Sequence, residues 1–389
     1  MTQLTKIAML GCGYVANMYR LTLAAHPDLS LVGVFDRETS RCMEMARLTG
    51  ARAYADIQGL LDDPETTIVL NLTNPSEHYQ TSCALLAAGK HVYTEKPLAM
   101  RLDHACDLVD RAKQAKRHLV SAPCTLLGPV AQLLWEALEK NLVGKVRVVH
   151  AAMEDGMVPS APTHRWVNEG GIAWPAVDEY VTGCTVEHAG YVLSWLCAMF
   201  GPVVRVTAHA DTVLPQKIGG IALPESPDFS MAALSFDNGV LARMTNGIYA
   251  GHDHALRLWG DDGVIEVDDP RSDTSAVRIR RYQTIRRKRF LSPITKKLRP
   301  RGDSKKIAKY RGSQTRDFCR AIADLAQAIR TGQEPYTNAE FAAHVSEVTL
   351  ACHHGTHSSG DQAGFGAALR QMPYSTVTRF APIARRDHS

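Results

Sequence analysis

No apolar run in the 389 residues approaches the roughly 20 that a helix needs to cross a bilayer. The longest apolar helix candidate, Tyr191–Phe200, is far too short, so a membrane-spanning role is not expected. A CxxC pair is also missing. The nine cysteines (12, 42, 83, 106, 124, 184, 197, 319 and 352) are scattered and odd in number. That excludes a disulfide framework and predicts reduced, mostly buried thiols in a reducing compartment. A secretory signal is not legible either: one Lys precedes the first apolar run, which breaks at glycines rather than at a small-residue cleavage site. With 45% hydrophobic and 22% charged residues, the expectation is a soluble, cytoplasmic, globular chain, long enough for two domains with separate cores.

What the chain does have, almost at once, is "KIAMLGCGYVAN" at residues 6 to 17. Residues 6 to 10 read as a buried parallel strand, and from Ala16 the apolar spacing becomes helical, so the glycines mark a strand-to-helix turn. Gly11 permits the tight turn, Gly13 lets backbone N–H groups approach a pyrophosphate, and Ala16 lets the helix pack closely on the strand. Tyr14 and Val15 complete the turn, which presents a helix N-terminus to negative charge. A lone motif of this kind is weak, but the next strand, "LSLVGVFD", ends at Asp36, twenty residues after Ala16. A carboxylate there accepts hydrogen bonds from the ribose hydroxyls of an adenosine and repels a 2′-phosphate, which favours NAD. Arg37 follows and can partner a 2′-phosphate, so NADP stays open.

Strands and helices keep alternating through "TIVLNLT" and "HVYTEKPLA" to "HLVSAP". In a doubly wound sheet ligands lie at the carboxyl ends of the strands. Thr73, Asn74, Pro75, His78, Glu95 and Lys96 therefore join Gly11 and Asp36 as candidate cofactor contacts. An ammonium at a strand end can lower the pKa of a substrate hydroxyl and hold its oxygen during hydride transfer, which makes Lys96 a candidate catalytic residue.

The motifs "GCGYVA", "NLTNPSEHY" and "HVYTEKPLAM" together resemble the Gfo/Idh/MocA family of NAD(P)-dependent oxidoreductases, over nearly the whole chain. The resemblance implies that Lys96 lies between nicotinamide and substrate. It also implies an N-terminal Rossmann domain, placed at 1–123, and a C-terminal α+β substrate and oligomerisation domain, placed at 124–389. That second domain would carry a large open, mostly antiparallel sheet whose face often forms a subunit interface, so a homo-oligomer is expected.

The irregular stretch from Asp155 to Cys184 reads as a loop over the active site. Its His164, Arg165 and Trp166 resemble a family position that reaches cofactor or substrate, with a packing role equally open. In the helix "TVEHAGYVLSWLCAMFGP", the family's Asp, four residues on, His pattern falls on Glu187 and Tyr191. Both positions differ, but the spacing of four keeps them on one face, where a carboxylate can orient a phenol. His188 is a competing proton carrier. His252, Asp253 and His254 have a spacing that can suit a metal, yet flanking a strand they read as ordinary polar residues, and no metal is expected there or at "CHHGTH" (352–357).

Residues 278–311 hold fifteen Lys and Arg against one acid, Asp303, a net +14 in a chain of net +4. This reads as a basic loop that can grip a phosphate-bearing substrate, an anionic membrane surface or an acidic neighbouring subunit, or simply stay solvated. Nucleic acid is not favoured, since no binding motif accompanies Tyr282 and Phe290. After it, a helix with Ser313 or Thr315 near its start is expected to close the second domain back onto the first. The functional expectation is hydride transfer between nicotinamide and a hydroxyl-bearing carbon of a sugar or nucleotide sugar. A non-catalytic nucleotide-binding regulator of the same fold is the alternative, and reduction of an imine or conjugated double bond is also compatible.

Overall fold

Six short strands, apolar along most of their length, form the first sheet: β1 (Thr5–Leu10), β2 (Leu29–Phe35), β3 (Arg52–Ala53), β4 (Ile68–Asn71), β5 (His91–Thr94) and β6 (Leu119–Ser121). Side chains buried on both faces favour parallel pairing with helices on each side. In this computed structural model, which describes residues 4–218, 226–299 and 316–355, every pair is parallel and the order is β3-β2-β1-β4-β5-β6. The order reverses between β1 and β4, so the carboxyl ends of those strands open the crevice that such sheets use for ligands.

The chain divides into two compact units, and neither is continuous in sequence. Met1–Cys124 is joined by Ala161–Thr182 and Asp317–Glu347, while Thr125–Ser160, Gly183–Arg316 and the chain from Val348 form the second unit. A single cut at 123/124 therefore misses two returns of the chain. The reason for the second return is local packing. Helix Arg320–Thr331 buries Ala321, Ile322, Leu325, Ala326 and Ala328, an apolar stripe at helical spacing. Just before it, Phe318 meets the Tyr19 ring edge-on at 5.4 Å, and Cys319 Sγ lies 3.3 Å from Thr22 Oγ1. His26 Nε2 is 2.8 Å from Asp317, and Arg330 is 3.1 Å from Asp28.

The second unit is built on a mixed, mostly antiparallel sheet of β7 (Val146–Glu154), β8 (Val203–Asp211), β9 (Phe229–Phe236), β10 (Leu241–Gly247), β11 (Leu256–Gly260), β12 (Gly263–Val267), β13 (Val277–Ile285), β14 (Lys288–Leu291) and β15 (Lys296–Lys297). Its order is β14-β13-β12-β11-β7-β10-β9-β8, with β15 on β13 and only β7 and β10 parallel. One face is apolar: Ser230, Ala232, Leu234 and Phe236 of β9 are buried, while Met231 and Ala233 between them are exposed. Helix Cys184–Phe200, buried along nearly all its length, packs on the sheet at β7, β9 and β10.

The basic loop expected from residue 278 is corrected over its first half, which is strand. In "VRIRRYQTI" Val277 and Ile279 are buried while Arg278 and Arg280 alternate with them, a period-2 pattern that pairs β13 with β12. Arg280 makes a two-pronged bond to Glu266 (2.8 and 3.0 Å) and Arg278 pairs with Asp268, so part of the positive charge is neutralised within the sheet. Residues 300–315, with Ser313 and Thr315, and the tail from 356 lie outside the described residues. All nine cysteines are free thiols, seven of them buried. Among the described residues no helix is long and apolar enough to cross a membrane.

Candidate active site

In the first unit β1 ends at Leu10 and the chain turns at Gly11, whose φ is +96°. A Cβ there would sit 2.6 Å from Leu72 O, so glycine is required by both backbone conformation and space. At Gly13 a Cβ would meet nothing within 4 Å, which leaves that side of the turn open to a ligand. Ala16 is buried at the start of helix Ala16–Leu23, after Val15. Tyr14 is half-buried; burial, then Glu179, pushes its phenol up, and its carbonyl accepts from Asn168 Nδ2 at 3.2 Å.

Asp36, just past β2, is locked to this turn. Its Oδ2 accepts from Cys12 N at 2.7 Å and its Oδ1 from Glu38 N at 2.8 Å. The carboxylate is thus held beside the glycine turn before any ligand arrives, while Arg37 is exposed.

At the end of β4, Asn71 Oδ1 accepts from Thr73 Oγ1 (2.7 Å) and its Nδ2 donates to Thr81 Oγ1 (2.7 Å) and Ser82 Oγ (3.0 Å). Asn74 Nδ2 donates to Asp178 Oδ2 at 2.9 Å, just before the 3-10 turn Pro75–Glu77. His78 is fully buried, with Nε2 2.9 Å from Thr73 O and Nδ1 2.7 Å from Pro97 O. It ties the two strand-end turns together, a job that uses both ring nitrogens. After β5, Glu95 is buried: Oε1 accepts from Tyr19 OH at 2.5 Å, whose oxygen is 3.0 Å from Tyr93 OH, and Oε2 accepts from the Lys96 backbone N at 2.9 Å. This fixes the main chain under Lys96, whose side chain is half-buried ahead of a cis bond to Pro97. His164 and Arg165 are exposed on a 3-10 turn, and Trp166 packs edge-on to Trp174 at 5.0 Å.

In the second unit, helix Cys184–Phe200 buries Glu187 and Tyr191. The guanidinium groups of Arg316 and Arg271 stand 4.8 and 5.8 Å from the Tyr191 ring centre. His188 takes a carboxylate partner that sequence reasoning missed. Its Nδ1 lies 2.8 Å from Oδ2 of Asp155, the residue after β7. Asp155 Oδ1 faces His254 Nε2 at 3.1 Å and Arg271 Nη1 at 2.8 Å, and His254 Nδ1 lies 3.4 Å from Asp269. Burial by itself would raise the Asp155 carboxyl; His188, His254 and Arg271 outweigh it and hold it well below the usual carboxylate range. The same pairing, against burial, holds His254 above the ordinary imidazole value. Glu154 next door is pushed up, by burial first. Asp155, His252 and His254 bring ligand-type atoms within 4.8 Å of one another, and the Arg271 guanidinium stands 2.8 Å from Asp155 Oδ1 in the same cluster. The only sequence signal for it was a pair of acids at a strand end, "MEDG".

A doubly wound parallel sheet with a glycine turn at β1 and an acid after β2 defines a dinucleotide-binding Rossmann domain. The family models agree: residues 5–122 match that of an oxidoreductase family with an NAD-binding Rossmann fold, and residues 131–266 match the GFO/IDH/MocA C-terminal domain. The chain belongs to the Gfo/Idh/MocA oxidoreductase family. It is similar to a myo-inositol 2-dehydrogenase of Thermotoga maritima, 25% identical over 273 residues that cover 69% of this chain and 77% of the relative. Among solved structures it is similar to an NAD-binding oxidoreductase from Klebsiella pneumoniae (TM-score 0.72, 23% identity, 90% of this chain and 96% of that one). It is also similar to the WlbA dehydrogenase of Bordetella pertussis in complex with NADH and UDP-GlcNAcA (TM-score 0.67, 18% identity, 90% and 95%). At these identities the two solved structures bear on the fold alone.

Proposed function

We propose that this protein is an NAD-dependent dehydrogenase or reductase acting on a hydroxyl-bearing carbon of a sugar, cyclitol or nucleotide sugar. The observation that carries the reading is the placement, in one sheet, of the open Gly11–Gly13 turn and locked Asp36 at the ends of β1 and β2, with Lys96 at the end of β5. β5 is two strands from β1, about 10 Å at normal strand spacing, which matches the reach of a dinucleotide laid across the crevice. The residues fit the cofactor. Gly13 leaves room for a pyrophosphate, and Asp36 offers an acceptor to a ribose. When bound, a nicotinamide supplies the two-electron acceptor or donor. Lys96 polarises the substrate hydroxyl and stabilises charge on its oxygen, and Tyr191, His188 and Glu187 are the candidates for carrying its proton. The substrate class draws on what the names of the inositol dehydrogenase and WlbA relatives say they act on or bind. Among the described residues, Arg281 of β13 and Lys288 of β14 have no acid paired with them, which supports a phosphate-bearing form.

The reading is tested by purifying the protein, measuring bound nicotinamide fluorescence, and adding cyclitols, free sugars and nucleotide sugars. A fluorescence change with one of them, matched by product in mass spectrometry, is the expected result. Cofactor that binds but responds to none would make the protein a non-catalytic nucleotide-binding regulator. For the cofactor preference, Asp36→Ala removes the like charge that repels a 2′-phosphate and leaves Arg37 in place. The ratio of kcat/KM with NAD to that with NADP is expected to fall roughly tenfold or more, equivalent to about 1.4 kcal/mol. An unchanged ratio would show that Asp36 does not read the ribose.

A further inference from the structure

We propose that Asp155, His252 and His254 form a site in the second unit for a divalent transition-metal ion, reversing the expectation that this histidine pair is ordinary. The backbone puts the three residues together. At the end of β7, Glu154 N and O exchange hydrogen bonds with Asp253 O and N, both at 2.9 Å. Across such an antiparallel bridge Asp155 stands opposite His252, and alternation puts His254 on the same face. Asp253 alternates away, and its Oδ1 accepts from Ala255 N at 2.8 Å. Each of the three offers one ligand-type atom, and these atoms lie within 4.8 Å of one another. Asp155 Oδ1 is 3.1 Å from His254 Nε2, and the rings of His252 and His254 have centres 4.1 Å apart. Ligand atoms about 2.1 Å from one ion stand about 3–4 Å from each other, so small side-chain rotations close the set. Two imidazoles and one carboxylate are a donor set that suits zinc or iron(II).

The surroundings supply what such an ion needs. His254 is 2% exposed, yet its Nδ1 makes no hydrogen bond among the described residues and lies 3.4 Å from Asp269 Oδ1. An imidazole that ligates through Nε2 carries its proton on Nδ1 and turns it to a carboxylate placed in this way. Asp155 Oδ2 is likewise buried without a hydrogen bond, 2.8 Å from His188 Nδ1, which makes none either. Buried polar atoms left in this state call for a bound water or ion. Arg271 Nη1 stands 2.8 Å from Asp155 Oδ1 and its Nε 3.9 Å from Asp269 Oδ1. A carboxylate oxygen has two lone pairs, so Asp155 Oδ1 can accept from Arg271 and still hold an ion. Two carboxylates against one guanidinium leave a negative balance that a cation offsets. Without the ion, a proton bridges Oδ1 and Nε2 instead. His252 is exposed, so the ion would keep positions open to oxygen donors, as catalytic rather than structural sites do.

The test is a titration of the full-length protein with zinc alone, read by competition with a chromophoric chelator, and with cobalt(II) for its visible ligand-field bands. One equivalent of zinc is expected to stay bound through gel filtration. His252→Ala, at an exposed position, should melt like the parent and bind zinc roughly tenfold or more weakly, since loss of an outer-shell partner alone costs about 10–100-fold. Cobalt(II) in the parent should show bands that this substitution shifts. His354→Ala, at the exposed end of the last helix, should bind like the parent. Zinc no higher than in a buffer blank, or an affinity unmoved by His252→Ala, overturns the proposal. So does an affinity that falls with His354→Ala instead, which would mark surface binding at the neighbouring histidines. The measurement uses neither nicotinamide nor alcohol, so its failure leaves the dehydrogenase reading where it stood.

Discussion

Lys96→Met is expected to lower kcat by about 10²–10⁴-fold while NADH still binds. Met keeps the length and apolar stem of lysine and removes only the ammonium. The substitution leaves the local frame alone, since the bond from the Lys96 backbone N to Glu95 Oε2 does not involve the side chain. Glu95 itself stays anchored by Tyr19 OH. The loss should therefore appear in turnover with the alcohol identified by the fluorescence panel, with the melting temperature near that of the parent protein. Tight NADH binding with turnover at the parent rate would remove Lys96 from the chemistry and leave the "EKP" resemblance without function.

The two glycines of the first turn should part company. Gly11→Ala places a Cβ 2.6 Å from Leu72 O and 2.7 Å from Leu72 C, both main-chain atoms that cannot swing aside, on a residue with φ +96°. The left-handed backbone alone costs about 1–3 kcal/mol, and the overlap with β4's exit adds to it, so the first unit should melt several degrees lower and bind NADH poorly. Gly13→Ala meets no protein atom within 4 Å. It should melt like the parent and still lose NADH affinity, because the new methyl fills the space where a pyrophosphate would lie against the backbone. Thermal melts and NADH titrations of both variants separate the two effects. Unimpaired NADH binding by Gly13→Ala would mean that this turn is not the cradle.

The candidate cofactor turn and the residues beside it were legible because they are close in sequence and each has a local signature. The strand-to-helix glycine turn, the acid twenty residues on, and a lysine held between a strand end and a proline are read one segment at a time. The hairpin of β11 and β12, closed by Asp261 and Asp262 between the paired Gly260 and Gly263, joins Leu256 with Val267 and Trp259 with Val264, a pairing that alternating residues on either side of a two-residue turn favour. The basic stretch from 278 misled because charge density masks periodicity. Val277 and Ile279 are buried between arginines whose partners, Glu266 and Asp268, stand on or beside the neighbouring strand.

Chain order and composition by themselves determined the doubly wound sheet, the glycine turn after β1, the acid after β2 and the lysine after β5, because hydrophobic period and turn chemistry act over a few residues. Only the tertiary structure decided which carboxylate lies beside His188. Asp155, His254, Asp269 and Arg271 come from separate segments, and ion pairing depends on distance in space, which no spacing along the chain encodes.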